Sequence, residues 1–153
     1  MVRNVHEREL PVPAGPFVDR IQELWPTAGW PPMKFDRPLG PGADGGHGPI
    51  RYRCAAFEPG ESITFEFTNV SGTHTLSAHG NVLRHELAAS FDLAGRLRWA
   101  FIVRWLHDAL IEDFLDNCER AAGREPSAPA RWSPRVRLMR KVFGAINRQP
   151  ARA

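Results

Sequence analysis

The sequence predicts an α+β fold in which a curved antiparallel sheet wraps around a long helix near the C-terminus. Three observations predict this fold. A strand-like segment and a helical one open the chain, two strand pairs with tight-turn sequences follow, and an amphipathic segment of 27 residues comes after them. The 153 residues suit one domain with a sizeable core and are too few for two such domains.

The first third of the chain contains short elements. Residues 2–10 predict a first strand, and apolar residues at helical spacing predict a helix over residues 14–24. Residues 33–39 alternate and predict a short strand, which a glycine-rich loop over residues 40–49 follows. That loop has G-x-G-x-x-G spacing, but a strand follows it instead of the helix N-terminus that holds a pyrophosphate. We therefore expect no nucleotide site there.

The first strand pair, residues 50–57 and 62–69, predicts a hairpin because Pro59 and Gly60 stand between its strands as a tight turn requires. Pairing about this turn sets Arg53 opposite Glu66, where we expect a cross-strand ion pair. It also sorts the apolar residues onto one face: Tyr52, Cys54, Ala56, Ile63, Phe65 and Phe67.

The second hairpin turns at Gly80-Asn81. Its register sets His74 opposite Leu87 and His85 opposite Leu76, so the two histidines are diagonal neighbours about 5–8 Å apart. The core-facing residues of this hairpin are then His74, Leu76, Ala78, Leu83, His85, Leu87 and Ala89.

Residues 96–122 predict the long helix, which Gly123 ends. Its apolar stripe holds Trp99, Val103, Leu106, Leu110, Phe114, Asn117 and Ala121, with His107 and Asp113 at its flanks. Asn117 is a polar amide within that stripe and needs a partner or a ligand. We expect the acidic residues of the helix to form a solvated face: Asp108, Glu112, Asp113, Asp116 and Glu119.

The basic charge is concentrated in the tail. Residues 124–153 hold eight basic side chains and one acidic one, which leaves 12 basic against 16 acidic side chains in residues 1–123. We therefore predict a domain over residues 1–123, a linker with a basic amphipathic helix over residues 124–153, and no nucleic-acid partner. For this helix, within residues 133–148, four alternatives stay open: packing on the domain, contact in a homodimer, peripheral contact with an anionic membrane, or disorder of the tail.

Several classes are excluded or not expected. No apolar run is long enough to span a bilayer, and the N-terminus lacks the apolar stretch of a secretory leader. The two cysteines, Cys54 and Cys118, are too few for a disulfide scaffold, so we expect a cytoplasmic protein. A zinc site at His74 and His85 would need a third and a fourth ligand, and the candidates His47 and Cys54 show no ligand spacing. We therefore expect no metal and no cofactor.

Three segments resemble a known superfamily. They are HERELPVPAGPF at residues 6–17, GGHGPIRYRCAAFEPGESITFEF at residues 45–67, and LHDALIEDFLDNCERAAG at residues 106–123. Over residues 2–122 the chain resembles the START-related helix-grip superfamily (SRPBCC), which includes polyketide cyclases and lipid-transport proteins. The resemblance implies an apolar cavity between the sheet and the last helix, and it carries over no catalytic signature.

The function we expect from this resemblance is binding of a hydrophobic small molecule, lipid-, sterol- or polyketide-like, in that cavity. The alternative is a polyketide cyclase or aromatase in which His74, His85 and Tyr52 move protons. A third reading makes the histidines ordinary core residues that bond to the backbone or to Tyr52. The predicted ligand-binding residues are Tyr52, Phe65, Phe67, His74, Leu76, His85, Leu87, Leu106, Leu110, Phe114 and Asn117.

Overall fold

A computed structural model describes residues 1–146, and the side chains of residues 1–142. It contains one seven-stranded antiparallel sheet with the strand order β1-β7-β6-β5-β4-β3-β2. The sheet is curved and unclosed, and the last long helix packs against it, so the predicted α+β class is confirmed. The strands are β1 (Val2–Glu9), β2 (Met33–Phe35), β3 (Asp44–His47), β4 (Ile50–Glu58), β5 (Ser62–Phe67), β6 (Ser71–His79) and β7 (Val82–Ser90).

The helices differ from the predicted ones at their ends. The segment predicted as one helix over residues 14–24 forms two short helices that break at Arg20. The long helix begins earlier than predicted, because the Asp92 side chain accepts a hydrogen bond from Gly95 N and caps it. The helices are α1 (Gly15–Asp19), α2 (Ile21–Leu24), α3 (Leu93–Arg98), a π-helical turn (Trp99–Val103), α4 (Arg104–Ala121) and α5 (Pro134–Ile146).

The register of the second hairpin is the predicted one, with His74 opposite Leu87 and Leu76 opposite His85. In the first hairpin the prediction holds from Tyr52 to Cys54 and then fails. A β-bulge shifts the register there, so Ala56 lies opposite Thr64 instead of Ile63 and is exposed.

The predicted ion pair of the first hairpin, Arg53 with Glu66, is wrong, because Arg53 pairs with a different carboxylate. Arg53 lies opposite Glu66 as expected, but its guanidinium donates two hydrogen bonds to the Asp44 carboxylate on β3, each 2.9 Å long. Because β3 also flanks β4, Arg53 reaches a carboxylate on its other side.

The core lies between the concave face of the sheet and α4. The sheet contributes buried side chains from β4 to β7, and α4 contributes a buried stripe of its own. The side chains that are almost fully excluded from solvent include Tyr52, Cys54, Ile63, Leu76, Leu83, Ile111, Phe114, Leu115 and Cys118. Burial raises the pKa of the Cys118 thiol to about 12, so this cysteine is a packed core residue and not a reactive thiol.

Polar side chains join β1 to α4 along their whole contact. Asn4 donates a 2.9 Å hydrogen bond to Asp108, His6 bonds to Glu112 at 2.7 Å, and Arg8 bonds to Asp116 at 2.9 Å. Residues two apart on a strand are about 6.6 Å apart, and residues four apart on a helix are about 6 Å apart. The two periods match closely enough for three successive pairs to form.

This contact corrects the expectation that the acidic face of the helix is solvated. Asp116 and Glu119 are only 2% and 3% exposed, and both carboxylates pair with Arg8 on β1. Burial disfavours ionisation of Glu119, but its hydrogen bonds with Arg8 and Arg124 outweigh burial and lower its pKa. The acidic residues therefore fasten α4 to the sheet.

The tail packs back onto the domain. The Trp30 and Trp132 indoles both donate to one Asp113 oxygen, at 2.6 and 2.8 Å, and their rings meet edge to face. Arg140 of α5 lies over the Trp30 ring, and Val136 is buried. Residues 147 and 148 of the predicted tail helix lie outside the described residues, and the domain boundary at residue 123 stays a prediction. Within residues 1–146 no helix is long and apolar enough to cross a membrane.

We predict that Arg8→Met lowers the free energy of unfolding by about 3 kcal/mol, because it takes the nearest cation from buried Asp116 and leaves buried Glu119 with Arg124 alone. Adding Asp116→Asn and Glu119→Gln to this variant should restore part of the loss. Urea unfolding followed by circular dichroism measures both effects. The control is Arg20→Met, which removes an exposed pair with Glu23 and should change stability little. An equal loss in both variants would contradict the role assigned to Arg8.

Candidate functional site

Three histidines from three elements meet in the core. His74 comes from β6, His85 from β7 and His107 from α4. The hairpin register makes the first two diagonal neighbours, and α4 lays the third across them. The ring centres are 5.0 Å apart for His74 and His85, 5.3 Å for His74 and His107, and 5.2 Å for His85 and His107. These three residues, called the histidine triad below, form a nearly equilateral triangle.

The triad is buried and short of hydrogen bonds. The exposed fractions are 8%, 5% and 8% for His74, His85 and His107. Nε2 of His74, Nδ1 of His85 and both nitrogens of His107 have no hydrogen-bond partner among the described residues. Burial lowers the pKa of all three imidazoles. Repulsion between neighbouring imidazoles lowers it further. The triad is therefore neutral near pH 7 and presents nitrogen lone pairs.

A second set of polar groups surrounds the triad. The His6 ring lies 6.0 Å from His107 and 6.5 Å from His85, measured between centres. Its nitrogens bond to Glu112 at 2.7 Å and to Asp108 at 3.1 Å. Burial alone would lower the pKa of His6, but these carboxylates outweigh burial and raise it to about 9. His6 is therefore an imidazolium at neutral pH, beside three neutral rings.

The cavity beside the triad is small. It measures about 10 Å³, enough for one water molecule, and His74 and His85 form part of its wall. The rest of the lining is apolar: Ile21, Trp25, Met33, Phe65, Leu76, Ile111 and Phe114.

The structure brings some of the predicted ligand-binding residues together and separates others. Five of them line the cavity: Phe65, His74, Leu76, His85 and Phe114. Six lie outside its lining: Tyr52, Phe67, Leu87, Leu106, Leu110 and Asn117. Whether any of them binds a ligand stays a prediction.

Tyr52 and Asn117 have protein partners instead of a place at the cavity. The Tyr52 hydroxyl is 3.1 Å from Nδ1 of His47, and the Asn117 amide donates a 3.0 Å hydrogen bond to the Leu24 carbonyl. Burial raises the pKa of Tyr52 and lowers the pKa of His47 to about 4. Tyr52 and Asn117, which the sequence analysis placed with His74 and His85, therefore form their hydrogen bonds with other residues.

Sequence reasoning missed the third member of the triad. His107 stands at the flank of the apolar helix stripe, four residues after Val103 and three before Leu110, and that spacing is the signal that it faces the sheet. His6 carried a similar signal, since it alternates with Asn4 and Arg8 on one face of the first strand.

Comparison with solved structures places the fold among known proteins. MLL2253 from Mesorhizobium loti superposes with a TM-score of 0.55 at 15% identity, over 78% of this chain and 98% of that one. CalU16 from Micromonospora echinospora gives 0.51 at 16% identity, over 95% and 94% of the two chains. DynU16, a protein in the dynemicin biosynthetic locus, gives 0.51 at 16% identity, over 86% of this chain and 49% of that one.

The fold is a helix-grip fold. At these identities the likeness shows the fold alone. No protein-family model and no curated protein sequence matches the chain.

We predict that His47 contributes to acid sensitivity. Its pKa in the folded state, about 4, lies below the ordinary value of 6.5, so the folded state resists a proton that the unfolded chain accepts. This contribution to stability is complete above pH 6.5 and is lost as the pH falls towards 4. His47→Asn keeps a partner for Tyr52 and should reduce the pH slope of the unfolding free energy by at most about 1.4 kcal/mol per pH unit.

The measurement is urea unfolding across that pH window, and His79→Asn is the control because His79 is an exposed histidine. An unchanged slope in His47→Asn would show that His47 accepts its proton equally well in the folded state.

Proposed function

We propose that the protein binds a small, mainly apolar molecule between the sheet and α4, and that His74 and His85 recognise a polar group on it. The observation that carries this proposal is the pair of buried, unbonded nitrogens at the cavity, Nε2 of His74 and Nδ1 of His85. A buried polar atom without a partner costs about 1–3 kcal/mol. A ligand that hydrogen-bonds to both would remove that cost.

The cavity must open for such a molecule to enter. Pockets for drug-sized ligands have volumes of about 300–1,000 Å³, while this one, at about 10 Å³, has room for a single water molecule. Ile21 and Trp25 form one wall, and they belong to α2 and to the connection that leads to β2, outside the sheet. Among the described residues, two side-chain hydrogen bonds join this segment to α4: Asn117 donates to the Leu24 carbonyl, and Trp30 donates to Asp113. Moving the segment therefore breaks few hydrogen bonds. We therefore infer that the ligand enters beneath this segment.

The chemical class of the ligand rests on two supports. The lining is apolar apart from the histidines, which favours a hydrophobic molecule with few polar groups. DynU16, which shares the fold, belongs to a biosynthetic locus, and the sequence resembles a superfamily that includes polyketide cyclases. The biosynthetic neighbours favour a polyketide-like molecule over a lipid or sterol as the proposed ligand.

The enzyme alternative has less support. His74 and His85 line the cavity, but burial lowers their pKa well below the ordinary value, which makes them weak proton acceptors at neutral pH. Tyr52 lies outside the cavity lining and bonds to His47. The arrangement therefore offers only weak bases and lacks Tyr52 as their partner in proton transfer.

The test is mass spectrometry of small molecules released by denaturing protein that was purified natively from its source. We expect one apolar compound at a substantial fraction of an equivalent. His74→Leu and His85→Leu should each lower its occupancy at least about tenfold, because each loses a hydrogen bond to the polar group.

His79→Leu is the matched control, since His79 is an exposed histidine on the same strand as His74 and should leave occupancy unchanged. Folding of each variant is checked by circular dichroism. Native protein that carries no compound, or a compound retained by both folded histidine variants, would overturn the proposal.

A further inference from the structure

The histidine triad has the dimensions of a metal site. A zinc ion lies about 2.1 Å from each imidazole nitrogen that binds it, which places it about 3.2 Å from each ring centre. Three rings at tetrahedral angles about such an ion have centres about 5.2 Å apart. The observed separations are 5.0, 5.3 and 5.2 Å. The three ring centres therefore already have the separations that a bound ion requires, although their nitrogens do not yet converge on one point.

We propose that His74, His85 and His107 bind one divalent first-row transition metal ion, with Zn²⁺ as the expected occupant. One nitrogen from each ring lies within 4.8 Å of the others. Tetrahedral binding needs about 3.4 Å between nitrogens, so the rings must turn inward by about 1 Å each. Such turns are side-chain rotations and leave the sheet register and α4 in place.

The unbonded nitrogens support this assignment independently of the ring spacing. Each ring has at least one buried nitrogen that no described residue satisfies, and the rings are more than nine-tenths buried. Three imidazoles packed together with their lone pairs unused destabilise a core. A metal ion would accept all three lone pairs at once. Removal of the free-energy cost of the unsatisfied nitrogens would then favour metal binding.

The surrounding residues suit a metal-bound histidine. Nδ1 of His107 lies 3.8 Å from the Asp108 carboxylate, which Asn4 and His6 hold in place. If Nε2 of His107 binds the metal, its Nδ1–H faces that carboxylate. A carboxylate behind a ligating histidine fixes the ring and strengthens the bond to the metal. Asp108 would become a positioning residue of this site once the inward turn of the His107 ring brings Nδ1 within hydrogen-bond distance of it.

A second group of residues, His6, His107 and Asp108, also brings ligand atoms together. It is a poorer metal site, because both His6 nitrogens already bond to Asn4, Asp108 or Glu112. Among residues 1–142, whose side chains are described, the unbonded nitrogens of the triad meet no such competition. Three nitrogen ligands with no thiolate suit zinc, nickel or copper better than magnesium or calcium.

The fourth position of the ion would face the small cavity. His74 and His85 both line it, and its volume of about 10 Å³ holds one water molecule. Zinc sites with three protein ligands and one open position bind water or a ligand there. This inference rests on the proposed function in one respect: in the metal-bound protein, the polar group of the bound molecule would occupy the ion's open position instead of bonding directly to His74 and His85.

The test uses untagged, ligand-free protein dialysed against a chelator and then titrated with Zn²⁺ or Co²⁺. We expect one equivalent to bind, and Co²⁺ should give the visible absorption bands of a four-coordinate ion. We expect binding to weaken at least about tenfold in each of the variants His74→Gln, His85→Gln and His107→Gln. Tenfold is the lower limit because loss of a residue that only contacts a metal ligand already weakens binding by about that much.

Two control variants keep the result specific. His47→Gln removes a buried histidine outside the triad, and His79→Gln removes an exposed one, and neither should change the affinity. Nitrogen NMR of the unmodified protein provides a readout that needs no variant, since Zn²⁺ should shift the ring signals of the triad only. No stoichiometric binding, or binding that moves other histidine signals instead, would overturn the inference.

The two proposals fail separately. Release of a compound from metal-free protein tests the proposed function, and Zn²⁺ binding by ligand-free protein tests the metal site. A protein that binds Zn²⁺ but carries no compound supports the second proposal and refutes the first, and the reverse result does the opposite.

Discussion

The structure depends on the polar contact between β1 and α4. A helix laid across a sheet normally relies on apolar packing, but here three strand residues meet carboxylates of the helix at matched intervals. Arg8 alone bonds to Glu112, Asp116 and Glu119. Since the angle and height of α4 follow from these bonds, they also set where His107 lies above the sheet. The polar bonds of the edge strand β1 therefore help to set where the side chains of α4 lie in the core.

The two kinds of histidine in the protein show how strongly surroundings decide protonation. His6 lies among carboxylates and carries a proton, whereas the triad lies in apolar packing and does not. Their ring centres are only about 6 Å apart, at 6.0 Å from His6 to His107. The charged ring helps to hold Asp108 beside the neutral one. The triad therefore has polar neighbours at His107, which lies beside His6 and Asp108, and an apolar cavity at His74 and His85.

Much of the sheet could be predicted from the sequence, and the limits have physical causes. The Gly80-Asn81 turn fixed the register that sets His74 beside His85, because alternation allows only one pairing with a buried apolar face. The bulge after Cys54 had no such signal, since Ala55 and Ala56 suit either face. His107 and Arg8 act through contacts between elements far apart in the chain, and local spacing does not report those contacts. The sequence therefore predicted that His74 and His85 lie side by side, but it did not predict that His107 joins them.

The π-helical turn Trp99–Val103 carries a consequence for length variation. Arg104 N–H donates to Trp99 O, five residues back, so this turn holds one residue more than an α-helical turn. Four α-helical residues rotate the chain by about 400°, and the five residues of a π-helical turn rotate it by nearly the same angle. Removal of one residue here would therefore leave a regular α-helical turn and keep α3 and α4 in nearly the same relative rotation. The stacked rings of Phe91 and Trp99, which close this end of the core, would keep their places. The same deletion within α4 would rotate one part of the helix by about 100° against the other. A change of length by one residue is therefore accommodated best at this turn.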